Sequence, residues 1–262
     1  MALDFGVFCK STLDGEMVDH CFSSVLGLAK NGDPSYLDWL FKAWHWTLAV
    51  AGLGLLIALV VGAMIGVLRT LPKTSFLNNT LSQFGTCWVE LFRNIPVLVQ
   101  VFLWYHVIPQ LFPPLKAFPS FWLVSIALGF FTSARIAELV RAGIQALPKG
   151  QLSAATALGL STPQTYRFVI LPMALRIVIP PLASESMNII KNSSVAFAVS
   201  VPELTLFAMQ SQEETSRGIE VYLAVTLLYA FTALAVNRII GFIERKTRIP
   251  GFIAPNDLSA AH

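Results

Sequence analysis

The stretch Gly150–Pro172, GQLSAATALGLSTPQTYRFVILP, decides how the rest of this chain is read. It lies between two long apolar segments and is too polar to cross a bilayer, so it reads as a loop with a short helix of its own. Ala154, Ala155, Leu158 and Thr162 recur at helical spacing, which predicts a smooth strip of small apolar side chains on one face. Gly159 near its end is the helix stop. Such a strip suits an amphipathic connector and a docking knob equally well.

The segments on either side set the class. A mean hydropathy of +0.65, with 55% hydrophobic and 13% charged residues, belongs to an integral membrane protein and not to a soluble domain. MALDFGVFCK at the start has one late lysine, so no cleaved signal peptide is expected and the first span directs insertion. Cys9, Cys21 and Cys87 lack the neighbours of a metal site. Cys87, in an apolar segment, reads as a buried small residue, whereas Cys9 and Cys21 could pair in an oxidising compartment.

Five spans are expected. Residues 1–36 carry no sustained apolar run and read as an exposed tail. Trp39, Trp44 and Trp46 then mark an interface ahead of Thr47–Leu68, a run long enough for about 30 Å of hydrocarbon. Arg69 and Lys73 close that span, residues 74–85 read as an interfacial helix, and span two runs from about Gly85 to Pro109. Span three covers Phe121–Ala142 and span four Met173–Lys191, kinked at Pro180-Pro181 and interrupted at KNSS, Lys191–Ser194. A short helix or re-entrant piece follows within Val195–Gln212, then an acidic loop, then span five, Val221–Phe242. Lys149 and Arg167, edged by Arg141 and Arg176, form the largest basic cluster, so the loop faces the cytoplasm, the N-terminus the outside and the C-terminus the cytoplasm.

A charge inside a span is costly and marks a functional candidate. Span three carries Arg135, Glu138 and Arg141 on one face, where Glu138 can neutralise either arginine. Arg135 is the deeper arginine, and its fork could hold a carboxylate bidentately. The second constellation is Ser184, Glu185, Lys191, Asn192, Ser193 and Ser194. A helix broken at membrane depth lines a polar cavity, and Asn192, Ser193 and Ser194 could cap the next half-helix, with Lys191 pairing to Glu185. Glu90 and Arg93, ahead of Asn94-Ile95-Pro96, read as an ion pair at a kink. Gln100 and His106 read as polar groups satisfied within the bundle. No phosphate-binding loop and no nucleophile with a base beside it appears, so ATP chemistry would reside on another chain.

The loop also resembles a known family. Ala154-Ala155, Gly159 and Leu171-Pro172 look like the coupling loop of permease subunits of ATP-binding-cassette importers. IQALPKGQ (Ile144–Gln151), Arg176, Pro180-Pro181 and KNSS resemble the polar amino-acid branch. ELFRNIPVLVQ (Glu90–Gln100), TSARIAELVRAGIQ (Thr132–Gln145) and RIPG (Arg248–Gly251) resemble its glutamate/aspartate permeases. The similarity covers roughly residues 36 to 250. Ser153 departs from it, standing where the family usually has glutamate. Asn192 is neutral where basic-amino-acid relatives look acidic, and Arg135 stands where many relatives look aromatic.

The resemblance implies an all-α membrane protein with five transmembrane helices and a cytoplasmic coupling helix between spans three and four. It implies a tail at 1–36, a transmembrane domain at 37–250 with a coupling loop at 144–172, and a cytoplasmic tail at 251–262. Gly150, Ser153, Ala154, Ala155, Gly159, Leu171 and Pro172 would meet the ATPase. Arg135, Ser184, Glu185, Lys191, Asn192, Ser193 and Ser194 would line the substrate path. Partners would be an ATPase dimer carrying ATP and Mg, a second permease chain, a periplasmic amino-acid-binding protein and the bilayer, with no nucleic acid and no cofactor on this chain. Glutamine permeases and, from another class, secondary transporters are the rival readings.

Overall fold

The computed structural model describes residues 3–18, 21, 34–72 and 75–247. Lys73, RIPG at 248–251 and the tail at 251–262 lie outside the described residues. The regular elements described are helical: α1 (Tyr36–Leu68), α2 (Phe76–Asn94), α3 (Val97–Phe102), α4 (Ile108–Leu111), α5 (Ser120–Gln145), α6 (Lys149–Ala157), α7 (Thr162–Thr165), α8 (Leu171–Asn192), α9 (Leu204–Thr215) and α10 (Gly218–Thr247). Wider π turns occupy Leu103–Val107 and Tyr166–Ile170, and a tighter 3-10 turn continues α8 through Ser193–Val199. Four helical stretches, Tyr36–Leu68, Ser120–Gln145, Thr162–Val199 and Gly218–Lys246, are long and apolar enough to cross a membrane. Phe76–Asn94 with Val97–Leu111 makes up to a fifth, bent by 105° at the break.

Several boundaries differ from the expected ones, each for a local reason. The first span starts at Tyr36, not Thr47, because the tryptophan-rich turn ahead of the apolar run is itself helical. Residues 76–94 form one continuous helix instead of an interfacial piece leading into span two. Pro96 ends it: the residue before a proline is pushed out of the α region, and Ile95 is extended at φ −98, ψ 129. Pro180 and Pro181 lie within α8. The α-helical run ends within KNSS at Asn192, as expected, but the chain stays coiled there, since Asn192 keeps helical angles and Ser193 begins the tighter turn.

The chain divides into two compact units. One comprises Met1–Gly54, Val97–Leu128 and Ile189–Ala233. The described part of the N-terminal segment, expected as an exposed tail, is anchored to the helices at Val7 and Phe8, while residues 3–5 and 13–17 are exposed. Its 3-10 turn Phe5–Cys9 buries Val7 and Phe8 with Tyr36, Leu40, Ala43, Phe207, Val221 and Val225. Asp4 N donates to Glu220 Oε1 at 3.1 Å, and Arg217 pairs with both Asp4 and Glu220. Cys9 and Cys21 are disulfide-bonded. Cys87, of the other unit, is free and exposed, because it is Val89, two positions on, that α2 turns into a buried cluster. Unreduced, denatured protein should therefore show one free thiol, and Cys87→Ser none until a reductant is added; three free thiols in fresh protein would remove the clasp.

The same unit contains a polar joint that the sequence reading passed over. Glu203 caps α9, accepting from Thr205 N and Leu206 N, and its Oε2 also accepts from the Tyr229 hydroxyl at 2.7 Å. Its side chain is fully buried, and burial pushes its carboxyl above the usual range against those hydrogen bonds. Thr47 Oγ1 accepts from Leu204 N, so α1 holds the same joint.

The other unit comprises Leu55–Pro96, Gly129–Asn188 and Leu234–His262. Ala58, Ile136, Val140 and Val178 form one buried cluster, and Ile65, Val89, Ala134 and Ala137 a second. Gly62 and Gly66 sit where α1 crosses α5 so closely that an added Cβ would overlap the neighbouring helix. Trp88 packs tilted against Phe92 and edge-to-face against Phe130 and donates to Ser133 Oγ at 3.0 Å, tying α2 to α5.

Candidate functional site

The Gly150–Pro172 stretch is built from two short helices and a π turn in the second unit. α6 ends at Ala157, and Gly159, at φ +77, takes the left-handed turn that closes it, a conformation open to glycine at no steric cost. Ser161 then starts α7 with its amide donating to Gln164 Oε1 at 2.9 Å, and Pro163 lies in the first turn. The expected strip is split. Ala155 is buried, Ala154 and Leu158 are exposed, Leu158 at 81%, and Thr162 belongs to the next helix. What the loop presents outward is Gly150, Ser153, Ala154, Leu158 and Gly159, while Leu171 is half-buried and Pro172 exposed at the start of α8.

The loop is fastened from below by residues outside the motif. Tyr166, Ile170 and Ala174 bury with Leu147. The Tyr166 hydroxyl donates to Thr70 O at 2.6 Å, just past the end of α1. Sequence pattern offered no signal for this contact beyond an aromatic residue at a loop end.

Arg69, expected as a stop signal, is part of an ion network. Glu138 pairs with Arg69, just past the end of α1, and, at 2.8 Å, with Arg141 one turn further along α5. Arg141 also donates to Gln145 Oε1 at 2.7 Å. The intrahelical pair expected for Glu138 and Arg141 is present, and the contact across to α1 is added to it.

Arg135 pairs elsewhere. Its Nη1 lies 3.7 Å from Glu185 Oε2 on α8, and its guanidinium stands 5.1 Å above the Phe131 ring. Glu185 is therefore the partner of Arg135 and not of Lys191, which is exposed. Ser184, next to Glu185, is exposed as well. Lys191, Asn192, Ser193 and Ser194 belong to the other unit. Ser193 Oγ donates to Ile190 O and Ser194 Oγ to Lys191 O, so both hydroxyls serve the preceding turn and cap nothing ahead of them. Glu90 and Arg93 are exposed and form no ion pair with each other. His106, expected to be satisfied within the bundle, is exposed against Tyr105, and Gln100 is buried.

The family model described as "binding-protein-dependent transport system inner membrane component" matches residues 54–249. A glutamate/aspartate import permease protein of Escherichia coli (strain K12), GltJ, is 39% identical over 89% of this chain and 97% of its own length. A probable glutamine ABC transporter permease protein of Bacillus subtilis (strain 168), GlnM, is 34% identical over 80% of this chain and 92% of its own. Among solved structures, one described as an amino acid ABC transporter with histidines matches with a TM-score of 0.70 and 27% identity, covering 86% of this chain and 98% of the other.

Proposed function

This chain belongs to the family of binding-protein-dependent transport system inner membrane components, and from that premise we propose that it is the permease subunit of an ABC importer for acidic amino acids, glutamate and aspartate. The observation that carries the acidic preference is Arg135, a cation within a membrane-length helix, 41% exposed at its side chain and held by a single loose ion pair. A guanidinium so placed is free to take a second carboxylate bidentately. Likeness to glutamine permeases favours a second reading, a neutral polar substrate with Arg135 as an ion-pair partner only.

In this reading the chain crosses the inner membrane five times, with the bent α2 to α4 stretch as the second crossing. The disulfide-bearing N-terminus faces the periplasm, where such bonds persist. The basic end of α10, with Arg245 and Lys246, faces the cytoplasm. A periplasmic binding protein delivers the substrate, and a second permease chain completes the pathway. An ATPase dimer carrying ATP and Mg grips the outward face of α6 and the Gly159 turn. Closure of that dimer displaces the loop and alternates access as a two-state change. Ser184, exposed on α8, lines the substrate path beside the Arg135–Glu185 pair, and this chain itself carries no cofactor.

The test is uptake of labelled glutamate by proteoliposomes holding the whole complex, with aspartate, glutamine, arginine and histidine as competitors. Aspartate should compete best, and Arg135→Ala should cut glutamate uptake by about tenfold or more while the ATPase still assembles, the loss expected for a hydrogen-bonded charged group. Ala154→Trp, exposed and outside the glycine turn, should in the same assay weaken ATPase capture without unfolding the chain. Normal glutamate uptake by Arg135→Ala would return the reading to a neutral substrate, and normal capture with Ala154→Trp would remove the docking face.

A further inference from the structure

The Arg135–Glu185 pair is built unevenly. The arginine side chain is 41% exposed and the glutamate side chain 16%. Glu185 Oε2, the atom facing the guanidinium, is shut from solvent and accepts no hydrogen bond among the described residues. At 3.7 Å its contact with Arg135 Nη1 is longer than a charge-assisted hydrogen bond. A buried carboxylate oxygen without a donor is unfavourable, so the pair is poorly satisfied as a structural bridge. The network one turn further along α5 differs, because Glu138 there accepts hydrogen bonds from two arginines.

We infer that Glu185 is a built-in stand-in for the substrate's side-chain carboxylate: it occupies Arg135 when no substrate is present and yields the guanidinium to a ligand's side-chain carboxylate arriving from the exposed side. The inference rests on the acidic-substrate reading and deepens it. An incoming anion reaches Arg135 first, since the accessible member of the pair is the arginine. The ammonium of an amino acid cannot reach Glu185 Oε2 without displacing the arginine in front of it. The exchange breaks one loose ion pair and forms one better hydrogen-bonded, and no proton need move. It leaves the site uncharged at rest and lowers affinity by the fraction of time the pair is closed, which favours release on the far side.

The experiment is equilibrium binding of labelled glutamate and, in parallel, labelled glutamine to the intact permease–ATPase complex in nanodiscs without the binding protein. With the competitor removed, Glu185→Gln should bind glutamate more tightly by about fivefold or more, with glutamine affinity unchanged. Glu185→Asp, which keeps the charge but draws it back by one methylene, should fall between wild type and Glu185→Gln. The uptake rate at saturating glutamate should fall in Glu185→Gln as release slows, a split between affinity and turnover that mere loss of stability cannot produce. Unchanged or weaker glutamate binding by Glu185→Gln overturns the inference, and weaker binding would instead make Glu185 the ammonium acceptor. If the wild type binds glutamine alone, the acidic-substrate reading fails. In that case a gain of glutamate binding in Glu185→Gln still upholds the exchange, and no gain removes it as well.

Discussion

Glu138→Ala should lower the melting temperature of the detergent-solubilised chain by roughly 6–12 °C, which corresponds to about 3 kcal/mol for a chain of this size. Glu138 is the shared counter-ion of Arg69 and Arg141, and Arg69 is only 11% exposed at its side chain. The Arg69 Nε is already buried without a hydrogen-bond partner among the described residues, so its guanidinium depends on the Glu138 carboxylate. Removing one member of such a pair leaves a desolvated charge, and that cost exceeds whatever the intact pair contributed. Replacing Arg69 as well, Arg69→Met with Glu138→Leu, should recover most of the loss, because the buried cation is then gone and Arg141, a third exposed, keeps water and Gln145 as partners. Because membrane proteins often unfold irreversibly, the comparison is made at one heating rate. A shift of under about 2 °C for Glu138→Ala would mean that solvent screens the network, as for a surface pair.

Gly62→Leu should prevent the chain from accumulating in the membrane, and Gly62→Ala should destabilise it by about 1–3 kcal/mol, the usual range for overpacking. A Cβ on Gly62 would lie 2.7 Å from Ile136 Cβ and 2.9 Å from the Ser133 carbonyl oxygen. One helical turn on, a Cβ on Gly66 would lie 2.6 Å from Val140 Cβ and 2.8 Å from the Ala137 carbonyl oxygen. Two of these obstacles are backbone of α5, which cannot move aside as a flexible side chain could. The pair is a small-xxx-small step that lets two membrane helices approach, where packing and not hydrophobicity holds them together. Gly52, on the same helix with nothing within 4 Å, is the internal control: Gly52→Leu should express and melt as wild type. Equal expression of Gly62→Leu and Gly52→Leu would show that α1 and α5 do not meet in this way.

How far the sequence could be read depended on the range of the interaction. Gly159 was legible as a stop because its reason is local: a positive φ costs glycine nothing. The break at Ile95-Pro96 was legible in the same way. The four glycines of span one looked alike in sequence, yet Gly54, Gly62 and Gly66 face a neighbour and Gly52 does not. Ala154 and Ala155 likewise looked like two members of one strip, and only packing against the chain below buries the second. Ser193 and Ser194 misled, because a serine caps a following helix and back-bonds a preceding turn with the same hydroxyl.

By itself the sequence determined that the chain is helical and membrane-embedded, roughly where its spans lie, and that a polar loop with a glycine-closed helix separates the third long apolar segment from the fourth. Those properties arise within a single segment, from its partition between water and hydrocarbon and from its own backbone angles. The tertiary structure alone decided which polar groups meet: the charges of Arg69 and Glu138 across 69 positions, those of Arg135 and Glu185 instead of Lys191 and Glu185, and the Tyr166 hydroxyl with the Thr70 carbonyl across 96. An ion pair depends on the distance between two side chains brought together by the packing of different helices. Hydropathy and spacing carry no record of that distance.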